Sequence, residues 1–239
     1  MNILDELETM MGSATLVKQS AELDPTTEMS RLDDVAPLKL ERAARTCTAT
    51  TGLCDIDDPD RAMEFVINTI IKRQHFGVLE HAAVSMTLVT NRAIANQIVR
   101  HRMASYCQES LRYVKLSRKG ECMPIILPDS FENWKPEAQA EWANSIDMSC
   151  AAYKKMLNYT KAEDARRVLP LDTATVLYTT FNLRELYYIL YDKTHGRYFN
   201  PHAQPQVREL FGILAEQELQ NRLPRIYEMG QQYKLTINK

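Results

Sequence analysis

The chain is predicted to be an α+β protein, a mixed or antiparallel sheet packed with helices, and three observations predict it. Val84, Met86 and Leu88 alternate with Ser85 and Thr87, the period-two pattern of a half-buried strand. Ala138, Trp142, Ile146, Cys150 and Tyr153 recur three or four residues apart, as on one face of a helix. Strand-like and helix-like stretches mix along the chain without the βαβ rhythm that a doubly wound sheet requires.

Residues 21–37 are polar and acidic and read as beginning in a loop, followed by a helix over 38–47 with Leu38, Ala43 and Ala44 among charges. Asp57-Asp58-Pro59 supplies a cap and a proline near a first helical position. Ala62, Phe65, Val66, Thr69 and Ile70 follow at helical spacing. After the strand around Val84, Asn91 caps a helix expected to run over 92–106. Residues 113–116 are expected as a short strand and 136–158 as a long helix. Residues 174–181, rich in Thr, Val, Tyr and Phe, fit either a strand or a buried helix. Residues 182–192 and 204–219 read as helices.

A chain of 239 residues suffices for one domain with a sizeable core. A single domain over 1–239 is expected, with 1–35 as an irregular N-terminal extension. Acidic residues (31) slightly exceed basic ones (29), so the overall field does not favour nucleic acid. No apolar run approaches the roughly 18–20 residues of a membrane span. The acidic stretch from Met1 to Glu8 lacks the basic-then-apolar order of a signal peptide. Cys47, Cys54, Cys107, Cys122 and Cys150 are scattered and include no Cys-x-x-Cys pair, against both a disulfide framework and structural zinc. A cytoplasmic protein without metal, membrane or nucleic-acid partner is expected.

The densest chemistry lies in 100–113, where Arg100, His101, Arg102 and Arg112 stand with Ser105 and Ser110. Concentrated arginine, a planar fork of donors, suits phosphate. On a helix, Gln97, His101, Ala104 and Gln108 would share one face while Arg102 points elsewhere, so the basic residues would serve two anionic groups or two sides. The plainer alternative is a solvated basic face, against which the apolar neighbours Ile98, Val99 and Met103 count. His75, Glu80 and His81 do not have the His-Glu-x-x-His spacing, and Glu80 fits a role orienting a histidine. Arg166 and Arg167 fit either a ligand or surface pairing with Glu163 and Asp164. The loop from Asp192 to Gln204 carries Lys193, His195, Arg197 and His202. Glycine-rich dinucleotide and phosphate loops and the Gly-x-Ser-x-Gly elbow are absent from the sequence. Cys107 reads as a small packing residue and not as a nucleophile.

Arg100-His101-Arg102, seven residues and then Ser110 resembles the signature of the flavin-dependent thymidylate synthases. His75 with Glu80-His81, Gln97, Ser110-x-Arg112-Tyr113, Arg167-x-Leu169-Pro170, Asn182-Leu183-Arg184 and His202-Ala203-Gln204 extend the likeness in order, over about residues 36 to 215. The resemblance implies that family's fold and a homotetramer with active sites formed between subunits. It implies conversion of dUMP to dTMP, with methylenetetrahydrofolate as carbon donor and reduced FAD, regenerated by NADPH, as reductant. Carried over, His75, Gly77, Arg100, His101, Arg102, Gln108, Asn182, Arg184, Tyr188 and His202 would bind the flavin. Gln97, Arg100, Glu109, Ser110, Arg112 and Arg167 would bind dUMP. Two departures stand out. Cys107-Gln108-Glu109 replaces the family's usual Asn-Glu, and the ungapped position of its catalytic arginine holds Lys193, with Arg197 four residues on, so either can fill that role. The altered gap also admits a dCMP-specific or hydroxymethyl-transferring relative. A non-enzymatic nucleic-acid-binding module is a further alternative.

Overall fold

The computed structural model describes residues 7, 10–26, 28–116 and 123–238, apart from the side chains of Met29 and Ser30; Cys122 and most of the acidic start lie outside the described residues. The chain forms two compact units interleaved in sequence. One comprises Met1–Gln19, Val89–Ile98 and Cys107–Leu177; the other comprises Ser20–Leu88, Val99–Tyr106 and Tyr178–Lys239. In order, the elements are β1 (Ala14–Val17), β2 (Ser20–Leu23), α1 (Met29–Cys47), α2 (Pro59–Phe65), β3 (Ala83–Asn91), α3 (Arg92–Ile98), β4 (Ala104–Gln108) and β5 (Met123–Ile126). Then come α4 (Pro136–Met156), α5 (Ala162–Ala165), β6 (Ala174–Asn182), α6 (Leu183–Tyr191), α7 (Pro205–Gly212) and α8 (Pro224–Ile237). One sheet has the order β2-β3-β6-β4, and a smaller one pairs β1 with β5 in parallel. The expected α+β class is what the chain adopts.

In the first unit, the β1–β5 ladder sets Ala14 opposite Met123 and Leu16 opposite Ile125. Their inner side chains meet the apolar stripe of α4, Ala143, Ile146, Cys150 and Tyr153, together with Phe131 and Met11. Of the stripe expected from the sequence, Ile146, Cys150 and Tyr153 face this core and the half-buried Trp142 packs against it, whereas Ala138 is exposed and Ala143 is buried. Asn91 caps α3, its Oδ1 accepting from the Ile94 amide at 2.8 Å. Asp172 ties the unit together by accepting from Trp142 Nε1 at 3.0 Å and from Asn91 Nδ2 at 3.4 Å.

In the second unit, α1 begins nine residues before the expected start at 38. Asp33, Ala36, Pro37, Leu40 and Glu41 form one buried stripe at helical spacing, and packing of that stripe carries the helix through Pro37. Asp58 caps α2 by accepting from the Asp60 and Arg61 amides. A π-helical segment, Val66–Ile71, and a 3₁₀ segment, Phe76–His81, lead to β3. Asn182 caps α6, accepting from the Glu185 amide at 2.9 Å. The buried Tyr187 hydroxyl on α6 donates to the Ile226 carbonyl of α8 at 2.7 Å. At Gly230 a Cβ would stand 2.7 Å from Tyr191 Cε2 and 3.0 Å from Tyr187 Cε1. Both rings are fully packed, so Gly230→Ala is expected to lower stability by about 1–3 kcal/mol, read as a lower urea midpoint at unchanged slope.

Three further expectations change. The helix expected over 92–106 ends at Ile98, and Ala104–Gln108 is instead the edge strand β4. Residues 99–106 carry no helix breaker, but sheet pairing overrides local propensity: Tyr106 packs edge-on against Phe181 of β6, with ring centroids 5.9 Å apart. Residues 113–116 form no strand. Tyr113 and Val114 donate their amides to the Ser110 carbonyl, which makes this stretch a turn. Residues 14–23, expected within an irregular extension, form β1 and β2. The alternative left open over 174–181 resolves as strand β6.

Candidate active site

The end of α3 and the start of β4 place the Arg100-His101-Arg102 turn in the second unit. Arg100 and Arg102 are exposed, whereas His101 is only 8% exposed. Its Nδ1 lies 3.0 Å from Glu185 Oε1, and its Nε2 accepts from Arg197 Nε at 3.0 Å. The Tyr106 hydroxyl donates to the His101 carbonyl at 2.7 Å and so fixes the turn. Burial first, and the Glu185 carboxylate second, push the Tyr106 phenol far above its usual value, so it remains a donor. Neither Arg100 nor Arg102 makes an ion pair among the described residues. This differs from a basic helix face, because one residue of the three turns inward and its neighbours turn to solvent.

Beside this network, Phe76, Glu80, Met103, Asn182, Arg184, Glu185, Tyr188 and Tyr233 line a cavity of about 410 Å³. Arg184 Nη1 donates to Glu80 Oε1 at 2.6 Å, half exposed, so Glu80 orients an arginine and not the histidine expected for it. Glu185 is what orients a histidine. The same Arg184 and Phe76 border a second groove of about 730 Å³ with Ala43, Ala44, Ile70, Arg73, His75, Gly77, Val78 and His81. A Cβ at Gly77 would meet nothing within 4 Å, so the backbone there is open to a neighbour. Of the residues expected at the flavin, these two grooves bring together His75, Gly77, Asn182, Arg184 and Tyr188.

Lys193 and Arg197 part company. Arg197 is held by its own amide on the Ile189 carbonyl at 2.6 Å and by Nε on His101. Lys193 is exposed and lines a separate groove of about 580 Å³ with Thr194, Phe199, Pro201 and His202. Gly196 lets the loop turn between them: a Cβ there would press on the Asp192 carbonyl oxygen and stand 3.0 Å from that of Ile189.

In the first unit, Gln97 is half-buried on α3, and Gln108 on β4 reaches Thr175 Oγ1 at 3.4 Å. The Glu109 amide donates to the Val176 carbonyl at 2.9 Å, and Arg92 Nη2 donates to the Glu109 carbonyl at 3.2 Å. Ser110 Oγ accepts from the Arg112 amide at 3.3 Å. Arg112 and Arg167 both stand at the acidic turn of α5. Arg112 lies 3.6 Å from Glu163 and Arg167 lies 3.8 Å from Asp164, with side chains 55% and 78% exposed. Exposed pairs of this length are weak, so both forks can be redirected to an anion. Glu185, Tyr106, Phe76 and Tyr233 were not singled out from sequence. Only Glu185 carried a signal, as the third residue after the capping Asn182. Among the described residues, no three His, Cys, Asp or Glu side chains stand together to hold a metal ion, and no helix is long and apolar enough to cross a membrane.

The second unit thus sets arginine-bordered grooves beside a sheltered carboxylate–histidine–arginine chain, an arrangement chemically suited to a charged organic ligand. The fold matches that of the UMP/dUMP methylase PolB from Streptomyces cacaoi bound with 5-Br dUMP, with a TM-score of 0.70 over 92% of this chain and 97% of that one, at 21% identity. Residues 33–225 match the family model of the thymidylate synthase complementing proteins, and the chain belongs to this family. Relatives named flavin-dependent thymidylate synthase include that of Geobacter sulfurreducens, 36% identical over 60% of this chain and 62% of that protein. Those of Thermococcus kodakarensis and Mycolicibacterium gilvum are 32% and 28% identical over 68% and 82% of this chain, and over 64% and 80% of their own lengths. The chain thus spans less than two thirds of the Geobacter and Thermococcus relatives.

Proposed function

We propose that this protein is a flavin-dependent thymidylate synthase that converts dUMP to dTMP, with methylenetetrahydrofolate as carbon donor and NADPH as electron source. The observation that carries this reading is the Glu185–His101–Arg197 chain beside grooves lined by His75, Gly77, Asn182, Arg184 and Tyr188. Those residues suit FAD. Ala43, Ala44, Ile70 and Val78 offer an apolar wall for a flat ring, Arg184 and Arg73 offer charge, and Gly77 admits a close backbone approach. Bound FAD, once reduced, would supply the two electrons that turn a transferred methylene into a methyl group.

The chain's own residues do the rest. Arg112, Arg167 and Ser110 present two forks and a hydroxyl for a nucleotide phosphate, which carries nearly two charges near neutral pH. Arg100 and Arg102 add exposed donors. Arg197 is the residue assigned to the reacting pyrimidine in preference to Lys193. Its Nη groups make no hydrogen bond among the described residues, and a guanidinium there stabilises negative charge that develops on the ring. Active sites completed across a homotetramer, and a cytoplasmic location, belong to the same reading. So does one functional domain, since the family match over 33–225 runs through both units.

The protein incubated with FAD, NADPH and methylenetetrahydrofolate is expected to form dTMP from dUMP, followed by chromatography beside a parallel dCMP reaction. Turnover of dCMP alone would replace the substrate. A folded protein that neither retains nor takes up FAD would end the proposal.

A further inference from the structure

We infer that Glu185 is a positioning residue that aims Arg197 by fixing the tautomer of His101. The inference rests on the reading of Arg197 given above, but its structural part stands alone. An arginine guanidinium is always protonated and only donates. Arg197 Nε faces His101 Nε2 at 3.0 Å, so that nitrogen must present a lone pair. The ring hydrogen then sits on Nδ1, and Glu185 Oε1 accepts it at 3.0 Å. The reverse tautomer would set two N–H groups against each other on the arginine side and a lone pair against a carboxylate on the other. The chain is sheltered, with His101 and Glu185 side chains 8% and 14% exposed, so water does not readily substitute for either partner.

The surroundings hold the two ends independently. The Glu185 amide is bound by Asn182 Oδ1 and the His101 carbonyl by the Tyr106 hydroxyl, so the backbone at each end is set without the carboxylate. The Tyr188 ring meets His101 edge-on, with centroids 6.4 Å apart. What Glu185 adds is direction: with its hydrogen fixed on Nδ1, His101 holds Arg197 by Nε and leaves both Nη groups for the substrate.

The test uses the full chain labelled with ¹⁵N-histidine, loaded with FAD, and read by long-range ¹H–¹⁵N spectra and by steady-state kinetics with dUMP. The parent protein is expected to show His101 as the Nδ1–H tautomer. Glu185→Gln keeps an acceptor and is expected to keep the tautomer and most of kcat. Glu185→Ala is expected to lose that tautomer and to lower kcat about 10- to 100-fold, as displacement of an orienting partner does. Glu185→Met, which preserves side-chain length, reads the same loss if the alanine variant does not fold. An Nε2–H tautomer in the parent, or an alanine variant with tautomer and kcat unchanged, would overturn the inference. The expected tautomers in a protein that makes no dTMP would uphold Glu185's hold on Arg197 while the functional reading falls.

Discussion

Arg197→Ala is expected to lower kcat for dTMP formation by about 10²–10³-fold, the usual cost of removing a preorganised donor aimed at developing charge. Lys193→Ala is expected to be much the milder change. The reason is placement. Arg197 is fixed by its amide on the Ile189 carbonyl and by Nε on His101, whereas Lys193 is exposed at another groove with His202. Arg197→Lys should recover little, because an ammonium is a single point charge and cannot both hold His101 and present a second pair of donors. Steady-state kinetics on the three variants, with FAD absorbance and circular dichroism as checks on loading and folding, decides the matter. A collapse of kcat in Lys193→Ala with Arg197→Ala active would reverse the assignment.

The largest expected effect on stability is at Asp33. This nearly buried carboxylate on α1 accepts from the amides of Arg225 and Ile226 at 3.0 and 3.1 Å, and from Arg225 Nη1 at 3.3 Å. Pro224, Arg225 and Ile226 open α8, and Leu223 offers no side-chain cap, so Asp33 caps that helix from another element. Alanine removes the cap and strands two donors, the buried Ile226 amide and the part-buried Arg225 amide. Losses of about 0.5–2 kcal/mol for a cap and about 1–3 kcal/mol for an orphaned group give an expected total of about 3–4 kcal/mol. Arg225 keeps Asp34 and Asp60 at 2.8 Å each, so the guanidinium is not left unpaired. Asp33→Asn retains one acceptor oxygen and should cost about half as much. Urea unfolding of both variants gives the comparison; an alanine variant within 1 kcal/mol of the parent, roughly the cost of a cap alone, would show that α8 is capped without Asp33.

The sequence disclosed elements where pattern and caps agreed. The stripe from Trp142 to Tyr153, the alternation around Val84, and the caps Asp58 and Asn91 all appear in the structure. It misled where pairing partners lie far off. Nothing local in residues 99–106 forbids a helix, and only β6 makes Ala104–Gln108 a strand. The arithmetic that placed Gln97, His101, Ala104 and Gln108 on one helical face therefore does not describe the molecule. Family motifs pointed to candidate residues, but not to their partners. Glu80 stands five residues from His75 in sequence yet holds Arg184, while His101 finds its carboxylate 84 positions away. The proposed preference for Arg197 over Lys193 rests on loop geometry around Gly196, which spacing cannot express.

Interleaving of the two units bears on biogenesis. The unit that begins at Ser20 takes its closing helix from the far C-terminal stretch, and the Asp33–Arg225 link joins positions 192 apart. During translation, the early segments of that unit must wait on the ribosome for nearly the whole polypeptide before their core can seal. Apolar surfaces of α1 and β3 stay uncovered through that interval, a window in which nascent chains depend on chaperones.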